Sequence, residues 1–298
     1  MSEPGRIQQS ATHAGAPADD AFAFVRELAV ELSSRQIELP SFPDVVARIR
    51  RTLADERVST EMVARIVAAE PALATRVLTM ANSAALNHHG TRVTDLPAAI
   101  ARLGLRSVRS ASIVFAFEQL KKSAEFRDIA PQLQQLWHRS VLVAAMSYVS
   151  ARRFTSLNAD SALLAGLLHG VGKLYVLTRA SRHPRLFASP ATYHEIERDW
   201  HASIAKALLE AWDMPEEIIQ AVHEFDSPAE ERRGPLSLTD VLAIANVLAS
   251  VHEAPGLIET HLIGRNAASR VKVTREDCEV VMRESAEDVA DLRRTLGE

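Results

Sequence analysis

A single cysteine, Cys278, stands in 298 residues. It excludes an intrachain disulfide and a Cys-rich zinc site, and it fits a reducing compartment. Glycine is scarce, at 11 residues, while Ala and Leu abound, a balance that leans to helix. No strand pattern stands out, and there is no internal repeat. No signal peptide opens the chain: residues 1–20 are polar, with Pro4, Gly5, Gly15 and Pro17, and read as a flexible lead-in. No apolar run reaches the ~18–20 residues that span a bilayer. A soluble, cytoplasmic protein is the expectation. A concentrated basic face is missing too. Net charge is −4; residues 35–130 carry 14 Lys and Arg against 10 Asp and Glu, and residues 131–298 carry 18 against 23. So mild an asymmetry makes nucleic acid an improbable partner.

What is present is helical periodicity in an ordinary globular composition, 47% hydrophobic and 24% charged. Residues 21–34 place Phe22, Val25, Leu28, Ala29 and Leu32 on one face. After the turn at 39–43, a helix is expected over 43–55. Ser59 should cap the next, and Pro71 should open a third over 71–82. Residues 95–103 and 105–121 read as a helical pair broken at Gly104. Arg102, Arg106 and Arg109 follow helical spacing there and could form a basic stripe for phosphate or nucleic acid, although a solvated face is the commoner origin of such a stripe. Further helices are expected over 131–153, 158–169, 171–181, 191–212, from Met214-Pro215 to His223-Glu224, and over 236–252. Residues 255–272 lack a period. Thr274 should cap a polar final segment with Glu276 and Asp277 in its first turn.

The stretch 161–173, SALLAGLLHGVGK, carries the chemistry. An apolar run from Leu163 to Leu168 ends on His169, followed by Gly170, Val171, Gly172 and Lys173. The run reads as a buried helix whose last turn holds the imidazole. The two glycines let the backbone turn and approach its neighbours closely. The stretch resembles the HD phosphohydrolase superfamily, whose pattern here is His-Asp, one residue, Gly, Lys. Gly170 stands where the Asp should be. A divalent ion that activates water needs several imidazole or carboxylate ligands, and Gly170 has none to offer. Other enzyme motifs fail: the spacing around Gly170 is too short for a P-loop, and Gly-x-Ser-x-Gly is absent.

Three further blocks occur in order: LPSFPDV at 39–45, AAEPALATRVLTMANSAAL at 68–86 and LPAAIARLGLRSVRS at 96–110. Together with the 161–173 stretch they resemble the HDOD family, the HD-related output domains of bacterial signalling, over roughly residues 35–255. The resemblance implies an all-α fold in which an N-terminal helical bundle packs on an HD-like helical bundle. The corresponding divisions are a flexible 1–20, an N-terminal subdomain at 21–130, an HD-like subdomain at 131–255, and a loop with a C-terminal helical segment at 256–298. It also implies a remnant pocket. His138 matches the first His of the HD pattern and His169 the His of the doublet. His201 and His223 match later histidines of the HD-GYP class. The final Asp falls on Asn246, and Asp240 lies on another face of that helix. The Gly-Tyr-Pro signature is absent: after His223 the chain reads Glu-Phe-Asp-Ser-Pro.

The expected function is that of a non-catalytic, stand-alone regulator without a cofactor. It would act by binding a signalling protein, or a nucleotide-type ligand held by His138, His169, Lys173, His201, His223 and Asn246. Two alternatives belong to other classes. One is a metal-dependent nucleotide or cyclic-dinucleotide phosphohydrolase with a His-rich site. The other is a nucleic-acid-binding regulator using Arg102, Arg106 and Arg109.

Overall fold

The computed structural model describes residues 16–34, 58–82, 92–227, 234–257 and 270–296, with positions 37, 39, 48, 49, 51 and 52 between them. Among the described residues all regular elements are helical. They are α1 (Ala16–Ser33), α2 (Thr60–Ala68), α3 (Pro71–Ala81), α4 (Leu96–Lys122), α5 (Ala130–Phe154), α6 (Ala159–Leu168), α7 (Val171–Ala180), α8 (Pro190–Ala211), α9 (Glu216–Glu224), α10 (Leu238–Ser250) and α11 (Arg275–Leu296). Short 3-10 turns occupy Ala124–Ile129, Pro184–Ala188 and Pro255–Leu257. Most of the expected helix 43–55 lies outside the described residues.

The helix ends follow from local chemistry. The Ser59 side chain accepts from the Met62 N–H, and Asn158 accepts from Ser161, each satisfying a donor that the first turn leaves without a partner. Thr274 and Asp277 cap α11 reciprocally: the Asp277 carboxylate accepts from the Thr274 N–H and hydroxyl, and the Asp277 N–H donates to the Thr274 oxygen. Gly104, at φ 77°, kinks α4 where the break was expected, in a backbone region that a β-carbon disfavours. Asn82 closes the end of α3. Its amide donates to the Leu78 and Val93 carbonyls at 2.8 Å each, and its oxygen accepts from the Val93 N–H at 2.8 Å.

Two main apolar cores result among the described residues, with a small cluster of Trp137 and Val141 between Phe117 and Leu167. The first lies among α2, α3 and α4 and buries Val63, Val67, Leu73, Val77, Ile100, Val108 and Phe115. The second, larger core is built around α5 from α6 to α10. Here the expected boundary at 21–130 needs correction, because α1 joins the second core through Phe24 and Leu28. Its apolar stripe meets α8 and the turn at Pro184–Ala188. The contact is fastened by the Tyr175 hydroxyl, which donates to Glu31 at 2.5 Å, and by Arg179, 3.2 Å from the same carboxylate. The C-terminal helix α11 packs on α5 and adds Cys278, Val281 and Met282 to that core.

The expectation about bilayer-length runs also needs correction. Ala159–Ala180, spanning α6 and α7, is long and apolar enough to cross a membrane by length and composition. The visible run stops at His169, but α7 resumes with Leu174, Tyr175, Val176 and Leu177. Of this window 83% is buried inside the protein, as befits the central pair of a helical core.

Candidate functional site

Close helix packing assembles the site. A β-carbon on Gly172 would lie 1.9 Å from the His201 carbonyl oxygen, so only glycine lets the start of α7 rest on the middle of α8. Gly170 has ordinary backbone angles, φ −91° and ψ 3°, and the turn does not depend on glycine's left-handed freedom. Its missing side chain matters more: a β-carbon there would face Leu136 at 3.1 Å and the Ser140 hydroxyl at 3.2 Å on α5.

His169 ends α6 and is 2% exposed. Its Nδ1 lies 2.7 Å from the Gly166 carbonyl oxygen, which can only accept, so Nδ1 carries the proton and Nε2 the lone pair. The ring meets Phe225 edge-on at 5.7 Å. Burial pushes its pKa down to about 3, and the nearby Arg139 and Lys173 also disfavour a second proton. His201 on α8 is buried as well, and burial lowers it to about 4, with Lys173 lowering it further and Asp226 opposing. Its Nε2 is 3.9 Å from an Asp226 carboxylate oxygen, and its Nδ1 is buried without a hydrogen-bond partner among the described residues. His223 on α9 donates from Nδ1 to the Ala202 carbonyl at 3.2 Å. Both buried rings are therefore neutral at pH 7.

The cationic side is Arg139 and Lys173. Arg139 donates from Nη2 to the Asn246 side-chain oxygen at 2.7 Å, to the Asn246 carbonyl at 3.0 Å and to the Ser250 hydroxyl at 2.9 Å. Burial lowers its pKa, and Asp226 counteracts. Asn246, the expected Asp position, thus holds a guanidinium. Lys173 acts electrostatically on both His169 and His201, and makes no hydrogen bond or ion pair among the described residues.

Arg139 and Asp226 are the residues that sequence reasoning missed. Helical geometry could have found Arg139. Leu136 and Ser140 face Gly170, and at ~100° per residue Arg139 shares their face while His138 points to the opposite side. His138 is half-buried with contacts of its own, and α5 reaches the cluster through its neighbour. Asp226 had a weaker signal, since it follows the expected signature position and lies just past α9.

These residues do not fit a divalent ion. No group of three or more His, Cys, Asp or Glu side chains converges to hold one among the described residues. Two cations stand where carboxylates would balance the ion's charge. Asp240 is engaged elsewhere: it accepts from the Ser237 N–H in a capping box and pairs with both Nε and Nη2 of Arg270, at 3.0 and 3.1 Å. The basic stripe is likewise turned to internal contacts. Arg102 donates to the Ala81 carbonyl at 3.2 Å, and Arg109 donates to the Asp213 carbonyl at 2.6 Å. The Arg106 side chain lies outside the described residues.

Comparison with known proteins gives the family. The family model of the HDOD domain matches residues 39–228. A protein from Shewanella amazonensis SB2B, provisionally named a metal-dependent phosphohydrolase, superposes with a TM-score of 0.71 at 24% identity, covering 93% of this chain and 99% of that one. A provisionally named signal transduction protein from Marinobacter aquaeolei VT8 superposes at 0.55 and 20% identity, covering 95% of this chain and 65% of that one. At such identities the likeness shows the fold. An uncharacterized protein of Treponema pallidum (strain Nichols) is 26% identical over 238 residues, 74% of this chain. The match spans only 44% of that relative's own length.

Proposed function

Because the chain belongs to the HDOD family, we propose that it is a non-catalytic, cytoplasmic regulator of signal transduction that works by binding. The domain is HD-related and helical. One observation carries the reading: Arg139 is fixed by Asn246 where the HD pattern has its final Asp, and Gly170, where it has its other acid, offers no side chain. A guanidinium and an ammonium at this point repel a metal ion and attract an anion. Without a metal-bound water, the neutral His169 and His201 have no strong nucleophile to activate. The partners that fit are an anionic small ligand of nucleotide type or a signalling protein that reads the state of the second bundle.

The name of the Shewanella relative supplies the competing reading, a metal-dependent phosphohydrolase. Metal analysis of untagged protein, combined with a nucleotide hydrolysis panel, separates the two. The expected result is less than stoichiometric Fe, Mn or Mg and no turnover above buffer. A stoichiometric ion accompanied by turnover overturns the proposal. For the nucleic-acid reading, a labelled DNA or RNA probe at low salt should stay unshifted.

A further inference from the structure

We propose that the cleft between α5 and α8, floored by α7, is a binding site for a nucleoside monophosphate, its phosphate at Lys173 and Arg139 and its base at the far end. This rests on the anion-binding reading above and adds to it the ligand class and the recognition residues. Gln132, Gln135, Leu136 and Arg139 line the cleft from α5. Pro190, Tyr193, His194 and Glu197 line it from α8. Each set has the spacing i, i+3, i+4, i+7, so each is one continuous helix face. Lys173 and Leu177, one turn apart on α7, form the floor, and Phe187 closes the wall next to Tyr193. The cleft has a volume of about 390 Å³, a size suited to a small organic ligand.

Its two ends differ chemically. At one end Lys173 makes no hydrogen bond or ion pair among the described residues. Among the described residues all the hydrogen bonds of Arg139 pass through Nη2, with Nε and Nη1 left for an anion. The lining carries two cations, Arg139 and Lys173, against one carboxylate, Glu197, while Asp226 offsets part of the charge at Arg139, and His169 and His201 are neutral. Beside it two buried polar atoms have no hydrogen-bond partner among the described residues: the Ser140 hydroxyl, which faces Gly170, and His201 Nδ1. Buried groups of this kind normally find one. At the other end are rings and amides. Phe187 and Tyr193 lie 5.4 Å apart, His194 packs against Tyr193 at the same distance, and the exposed amides of Gln132 and Gln135 face them across the cleft. Rings offer a stacking surface to a planar base, and amides can pair with its edge. The Tyr193 hydroxyl is already directed to Glu197, so the ring is fixed rather than free to rotate away.

The test is titration of the untagged full chain with adenosine monophosphate, inorganic phosphate and adenosine, followed by calorimetry and by phosphorus NMR. The monophosphate should bind at least about tenfold tighter than phosphate, an advantage that the base end must supply. Lys173→Met should weaken both anions at least tenfold. Gln135→Ala and His194→Ala, both on exposed positions, should weaken only the nucleotide, with melting curves unchanged. If phosphate binds and the nucleotide binds no tighter, the cleft assignment falls while the anionic centre stands. If neither anion binds, or Lys173→Met changes nothing, both fall. If the nucleotide binds and phosphorus NMR shows phosphate released, the non-catalytic reading falls instead.

Discussion

In the first bundle several polar side chains that go inside meet partners within that bundle. Arg76 pairs with Glu118, Asn82 clamps Val93, and Arg102 caps the Ala81 carbonyl. In the second bundle the polar groups near His169 are incompletely used: among the described residues His201 Nδ1 and the Ser140 hydroxyl have no partner, and Lys173 faces the cleft unpaired. Both bundles bury ordinary apolar cores, and hydrophobic packing cannot explain the contrast. A buried polar group without a partner costs about 1–3 kcal/mol. Other such atoms occur among the described residues, at Trp137 Nε1, Ser147 and Ser150, and what sets the His169 site apart is that they stand there beside Arg139 and Lys173 at a cleft.

The comparison is broken most severely by changing how the second bundle packs. Gly172→Ala places a methyl group against the His201 backbone, and neither α7 nor α8 can yield without moving its whole length. The expected loss is about 4 kcal/mol or more, larger than common overpacking because the contact is with backbone. Denaturant unfolding measures it. A loss below about 1 kcal/mol would show that the two helices are loosely held, and the site geometry would lose its support.

Acid acts on the same bundle more gradually. His169 and His201 fall from an ordinary 6.5 to about 3 and about 4 on folding. Between those values and 6.5 the unfolded chain binds more protons than the folded one. Stability therefore declines as pH drops below 6.5, by at most about 1.4 kcal/mol per pH unit for each ring, and is unaffected by these groups above it. Unfolding curves from pH 7 to pH 5 should show the decline, and His169→Gln should flatten it. An unchanged slope in that variant would mean that the ring is solvated.

Much of this was legible in the sequence. Caps at Ser59 and Thr274, the Gly104 break and the proline starts were readable because each is a local backbone requirement. The positions Gly170 and Asn246 were legible as losses. What replaced them was not, because Arg139 reaches Asn246 across 107 residues and its role depends on which face α5 turns inward. His138, one residue away, matched the motif by type but stands on the wrong side of the helix. The placement of α1 was hidden for a related reason: its stripe announces that something is buried, without saying against which bundle.

Restoring the acids sharpens the contrast. In Gly170→Asp with Asn246→Asp, the new carboxylate at 246 should pair with Arg139 instead of binding a metal ion. Counting Asp226, the site would then hold five charges in place of three, and Mn2+ affinity should stay weak. Adding Arg139→His removes the competing cation and supplies an imidazole, which should tighten Mn2+ by at least about tenfold over the double variant. Calorimetry on the three proteins decides this. Tight binding by the double variant alone would show that Arg139 does not guard the site, and the anion reading would weaken with it.

The smallest effect is expected where the two bundles touch through a polar contact. Arg109 on α4 donates at 2.6 Å to the carbonyl of Asp213, which has a positive φ of 51° just after α8. There the Met214 N–H returns to the Leu209 carbonyl, closing the helix end as a Schellman turn. The turn is closed with or without the arginine, and the contact is solvent-exposed, so Arg109→Ala should cost only about 0.5–1.5 kcal/mol. The bond nevertheless runs from the first bundle to the end of the helix that carries Tyr193 and His201. If that link transmits the state of the cleft, Arg109→Ala should alter the first bundle's hydrogen-exchange response to a ligand while leaving ligand affinity within about twofold. If exchange in α2–α4 responds identically in both proteins, the contact is only a fastening, and any coupling between the bundles must pass through their shared apolar surface around Ile113 and Leu120.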